Sequence, residues 1–123
     1  MSVFLLHLET STPICSVALS KNGQPLGHLD KIGDGFIHGE SLTLMIEALL
    51  AEQKVTLSML HAISYSAGPG SYTGLRIGLS TAKGLCFALQ IPLIAIPTHQ
   101  SLSQIGLEIL GHQNANIVTM LDA

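Results

Sequence analysis

The stretch 2–9, SVFLLHLE, is apolar almost throughout, broken by His7 and closed by Glu9. A continuous run of this kind predicts a strand in the middle of a sheet. Residues 14–33 read as two further strands joined at Asn22-Gly23, a pair that tolerates the positive φ of a tight hairpin. From 38 to 53 the period becomes helical, with Leu42, Met45, Ile46 and Leu49 at i, i+3, i+4 and i+7. Leu44, Ala48 and Ala51 form a second apolar face on that helix. A helix on the outside of a lone domain needs only one, so the second predicts contact with another chain. HAISYSA (61–67) is the fourth strand, ended by Gly68-Pro69-Gly70. Ser71 suits a helix N-cap, and Leu75, Leu79, Ala82, Leu85 and Leu89 carry the helical spacing onward until Pro92. LIAIP is a short buried strand, 99–111 a third helix, and ANIVTMLDA the start of another strand.

The order βββαβαβα predicts an α/β fold with a mixed sheet and helices on both faces. This is the architecture of a ribonuclease H-like or actin-like ATPase (ASKHA) lobe. The division expected is a first lobe over 1–114, with 115–123 as the first strand of a second, truncated lobe.

Composition sharpens the reading in three places. Of the 123 residues, 47% are apolar and only 11% charged, which again implies surface meant for a partner. The formal net charge is −3 and no Lys or Arg run occurs, so the footprint of a direct nucleic-acid binder is missing. Cys15 and Cys86 lack CxxC neighbours, and the N-terminus lacks a basic signal region; both fit a reducing cytoplasm. The longest apolar stretch, LCFALQIPLIAI, is shorter than the roughly 20 residues that cross a bilayer, so no membrane partner is expected.

The candidate chemistry lies in SAGPGSYTGLRIG (66–78), with four glycines and the chain's only arginine, Arg76. A Walker loop requires a lysine after its last glycine, and Leu75-Arg76 follows instead. The dinucleotide fingerprint GxGxxG fails at Thr73. The helix start could still hold phosphate through Gly70 and Ser71, with Thr10 from the polar turn Glu9-Thr10-Ser11-Thr12 nearby. That turn's hydroxyls equally suit local backbone bonds. A serine elbow, GxSxG, is absent around Ser71. Gly74 and Gly78 form a GxxxG step, which either admits a partner helix or packs tightly on the chain's own sheet. The six histidines include no pair three, four or five apart, so no helix presents a metal pair; His38 is expected at the first helix's entrance.

GPGSYTGLRIG (68–78), followed by AKGL (82–85) and IPLIAI (91–96), closely resembles the bacterial TsaB (YeaZ) family. LETST (8–12), SVAL (16–19), HGESLTLMIEALL (38–50) and the terminal LDA agree in order, so the resemblance runs along the whole chain. Glu9 departs from it, standing where TsaB relatives usually have Asp. The resemblance implies a part in forming N6-threonylcarbamoyladenosine in tRNA, as a non-catalytic subunit that binds the catalytic TsaD and is joined by the small ATPase TsaE. ATP and metal are then expected in the partner complex rather than on this chain, and tRNA only through the complex. TsaD itself carries an HxxxH metal pair, of which this chain has His99 but Ser103 in place of the second. The expected interface, to TsaD or to a second copy, comprises Leu44, Ala48, Ala51, Gly74, Arg76 and Gly78. On this view Gly78→Leu should block pairing and leave the fold intact. The alternative is a metal-dependent, glycoprotease-like peptidase or weak ATPase of the same superfamily.

Overall fold

The computed structural model describes residues 1–32, 39–109, 111 and 118–120. Five strands and three helices follow in the order β1 (Phe4–Glu9), β2 (Ile14–Lys21), β3 (Gln24–Ile32), α1 (Gly39–Gln53), β4 (Leu60–Ser66), α2 (Tyr72–Leu89), β5 (Leu93–Ile96) and α3 (Thr98–Ile109). A single 3-10 turn, Leu57–Met59, precedes β4 and was not expected from the pattern. His38 and most of the expected strand over 115–123 lie outside the described residues.

The sheet order is β3-β2-β1-β4-β5. β1 pairs antiparallel with β2 and parallel with β4, so it is the central strand. Asn22 and Gly23 both take positive φ, 52° and 79°, and close the β2–β3 hairpin as their side chains permit. Gln90 ends α2 in the left-handed conformation two residues before Pro92.

One face of the sheet is apolar. Phe4, Leu6 and Leu8 of β1, Cys15, Val17 and Leu19 of β2 and Ile63 of β4 meet Leu42, Ile46, Leu49 and Leu50 of α1 and Ala82 and Cys86 of α2. Complete burial of residues such as Leu42 and Leu49 stabilises the layer by about 2 kcal/mol each. α1 lies over β2 and β3, and α2 over β1, β4 and β5. The opposite face is polar and carries α3: Ser101 borders a cleft with His7, Glu9, Ser64 and Ser66. α1 and α2 thus pack on the apolar face, and α3 reaches the polar face at Ser101.

The α2 helix turns differently from the expectation. Gly74, Gly78, Ala82 and Cys86 form its buried stripe, whereas Leu75 and Leu79 are only partly buried. Small residues bring this helix close to the sheet, and the leucines flank the contact.

Candidate functional site

The glycine-rich turn is built around Thr10. Ser71 caps α2, its Oγ accepting from the Gly74 amide at 3.2 Å. Thr10 is 2% exposed, and its hydroxyl donates to the Gly74 carbonyl at 2.7 Å. A Cβ on Gly74 would collide with the Thr10 carbonyl oxygen, and one on Gly78 with the Thr10 hydroxyl. At Gly70 a Cβ would fall 2.5 Å from the Ser11 carbonyl oxygen. The Ser71 amide donates to that same oxygen at 2.8 Å. Three glycines thus make room for one turn, residues 10–11, which plugs into the start of α2.

Two expectations are corrected by this geometry. Gly74 and Gly78 do not form an open step for a partner helix, because their own chain fills it. Nor does Gly78→Leu leave the packing undisturbed, since its first carbon already displaces the Thr10 hydroxyl. The phosphate candidates Gly70, Ser71 and Thr10 come together, yet the Thr10 hydroxyl and the Ser71 amide and hydroxyl all bond inward. The Thr10 hydroxyl and the Ser71 amide spend their protons on carbonyl oxygens, whereas the Ser71 hydroxyl accepts from Gly74 and keeps its own proton to offer.

The polar face of the sheet carries a second arrangement, which the sequence reading missed. The Glu9 carboxylate accepts from the Ser11 amide at 3.0 Å, from the Ser11 hydroxyl and from the Ser66 hydroxyl. His7 Nδ1 lies 2.6 Å from Ser64 Oγ, and its Nε2 2.9 Å from Ser20 Oγ. Burial lowers the proton affinity of His7 below the ordinary histidine value. The signal was present as alternation: His7 and Glu9 share one side of β1, as Ser16 and Ser20 do on β2 and Ser64 and Ser66 on β4. The apolar residues between them masked it.

The outer surface of the α1–α2 layer is where the remaining predicted residues lie. Leu44, Ala48 and Ala51 are exposed on α1, Leu44 at 58%. Tyr72 at 74% and Phe87 at 80% add exposed aromatic area on α2; neither was singled out by the sequence reading. Arg76 is exposed, its guanidinium 5.5 Å from the Tyr72 ring centre, with Nη1 donating to the Tyr72 hydroxyl at 3.4 Å. These two side chains, with Gly39, Thr73, Ile77 and Ser80, border an open recess of about 360 Å³. Tyrosine, phenylalanine and arginine are the residue types enriched at protein interfaces.

His99 Nδ1 lies 2.6 Å from Thr119 Oγ1, and the Ser103 hydroxyl donates to the His99 carbonyl at 2.8 Å. Ser103 has no imidazole to offer, so the residues present do not fit a paired-histidine metal site. Among the described residues, no three His, Cys, Asp or Glu side chains come together in a way that could hold a metal ion. No described helix is long and apolar enough to cross a membrane.

The comparisons with known proteins agree with the glycine motif. Residues 37–123 match the model of the family described as "TsaD: tRNA N6-adenosine threonylcarbamoyltransferase". The tRNA threonylcarbamoyladenosine biosynthesis protein TsaB of Haemophilus influenzae is 36% identical over 119 residues, 97% of this chain and 49% of that protein. The chain belongs to this family, in its TsaB (YeaZ) branch.

The Escherichia coli TsaB is 32% identical over 100 residues, covering 81% of this chain and 42% of its own length. The solved structure of YeaZ from Pseudomonas aeruginosa superposes with a TM-score of 0.80 at 38% identity, over 89% of this chain and 50% of that one. RuvC from T. thermophilus, solved with a Holliday junction substrate, shares the fold at a TM-score of 0.51 and 10% identity. It covers 95% of this chain and 84% of RuvC. The fold is therefore of the ribonuclease H-like and ASKHA type. The chain spans about half the length of the TsaB relatives it matches.

Proposed function

We propose that this chain is a non-catalytic subunit in the formation of N6-threonylcarbamoyladenosine in tRNA, docking on a TsaD-like catalytic subunit through the outer surface of α1 and α2. The observation that carries this reading is the exposed stripe Leu44, Ala48 and Ala51, continued by Tyr72, Arg76 and Phe87 on the neighbouring helix. Burial of such a surface contributes about 25 cal/mol per Å², against the cost of association. The glycines Gly74 and Gly78 act indirectly, by fixing α2 against the β1–β2 turn. A TsaE-like ATPase joins the assembly, ATP and metal bind elsewhere in it, and tRNA is reached only through it. The curated relatives named for threonylcarbamoyladenosine biosynthesis support this assignment. A homodimer through the same helices is the competing use of the surface. The test is tRNA modification reconstituted with TsaD-like and TsaE-like proteins, each component omitted in turn. Loss of the modified nucleoside on omitting this chain is the expected result. Undiminished modification without it would refute the role.

A further inference from the structure

We propose that His7 is a proton-sensitive clasp, tying central strand β1 to both of its neighbours and lowering the stability of the fold when its half-buried ring is protonated. Ser64 of β4 stands beside His7 in the parallel register, and Ser20 lies on β2, two residues beyond the Ala18 that pairs with His7. One ring nitrogen reaches each serine, at 2.6 and 2.9 Å. A neutral imidazole has one donor and one acceptor nitrogen, and a serine hydroxyl can answer either. The clasp is therefore satisfied in both tautomers.

Protonation makes both nitrogens donors, which the two hydroxyls can still accept. The cost is the charge, placed where water is partly excluded. The groups facing the ring offer little to offset it. From β2 these are Ser16, Ala18 and Ser20, and from β4 Ala62, Ser64 and Ser66, all uncharged. α3 contributes Ser101, while His99 is turned to Thr119 and Glu108 stands near the far end of that helix. His28 and Asp30 of β3 sit two strands away, roughly 10 Å, and lie 3.6 Å from each other. Glu9 is the one charged neighbour on β1; it keeps its negative charge while accepting from Ser11 and Ser66, and burial of the His7 ring outweighs its attraction.

The direction follows from linkage. Burial lowers the His7 proton affinity from the ordinary 6.5 in the folded chain. The neutral ring's contribution is complete above 6.5 and is lost as pH falls through that value towards the lower folded one. β1 runs straight into the Thr10–Ser11 turn that seats α2, so the clasp sits on the strand that positions the helix.

The test follows the histidine ring resonances of the full chain by nitrogen-15 NMR across this pH range, with urea unfolding measured alongside. One ring, lost in His7→Gln and shifted in Ser20→Ala and Ser64→Ala, should titrate below 6.5. The unfolding constant of the wild type should rise more on acidification than that of His7→Gln, about tenfold for each unit of displacement. A His7 ring titrating at or above 6.5, or identical pH dependence in the two proteins, would overturn the proposal. If His7→Gln does not fold, the serine variants still assign the ring and its midpoint decides.

Discussion

Replacing Gly78 by Ala tests the role of the glycine motif with a single carbon. In an open helix the change stabilises by about 1 kcal/mol, through higher helix propensity. At Gly78 the new methyl lands on the Thr10 hydroxyl, which is buried and donates to the Gly74 carbonyl. Forcing an extra carbon into a packed site costs about 1–3 kcal/mol. Displacing the hydroxyl from its partner costs about 1–3 kcal/mol more. The propensity gain offsets part of this, leaving a net loss of about 1–5 kcal/mol. Gly84 on the same helix provides the control: it is exposed and a Cβ there meets nothing within 4 Å. Gly84→Ala should stabilise by about 0.5–1 kcal/mol. Urea unfolding of both variants, with Thr10→Ala and the Thr10→Ala/Gly78→Ala double variant, completes the cycle. A favourable coupling of about 1–2 kcal/mol is expected between positions 10 and 78. Equal stabilisation by Ala at 78 and 84, or additive effects of 10 and 78, would refute the account of the turn.

Gly74→Ala should be more damaging than Gly78→Ala in the same assay, because its methyl meets the Thr10 main chain rather than a side chain that can rotate. The Thr98 hydroxyl is buried without a hydrogen-bond partner among the described residues. Thr98→Val, of nearly the same shape, should therefore be neutral or stabilise by up to about 1 kcal/mol in thermal unfolding, and a clear loss would mean the hydroxyl has a use. Cys15 and Cys86 are buried, and burial pushes both thiols above the ordinary cysteine value. Native protein at pH 7.5 should resist a thiol-reactive dye and label at both sites once unfolded; rapid native labelling would contradict the packing.

The hairpin at Asn22-Gly23, the Ser71 cap and the three helices were legible because each has a local cause, in backbone freedom, a side-chain acceptor or a 3.6-residue period. What was not legible depended on partners far along the chain. Gly74 and Gly78 have the same spacing whether they receive another protein or their own turn. The deciding residue is Thr10, 64 positions before Gly74. The polar side of β1 was hidden for a different reason: Leu5, on the same side as His7 and Glu9, made the strand read as uniformly apolar. Leu44, Ala48 and Ala51 were readable as an outward face because that face repeats within one helix. Tyr72 and Phe87, at opposite ends of α2, stand out only once the inward glycine stripe fixes how the helix is turned.

The docking claim is tested most directly by titrating this chain into a TsaD-like subunit in a calorimeter, with wild type and Leu44→Glu compared. Leu44 is exposed, so the substitution should leave unfolding unchanged within about 0.5 kcal/mol. A saturable heat of binding for the wild type, weakened at least about tenfold by placing a charge in the apolar stripe, is the predicted result. Equal binding by the two proteins, or none by a folded wild type, would contradict the account.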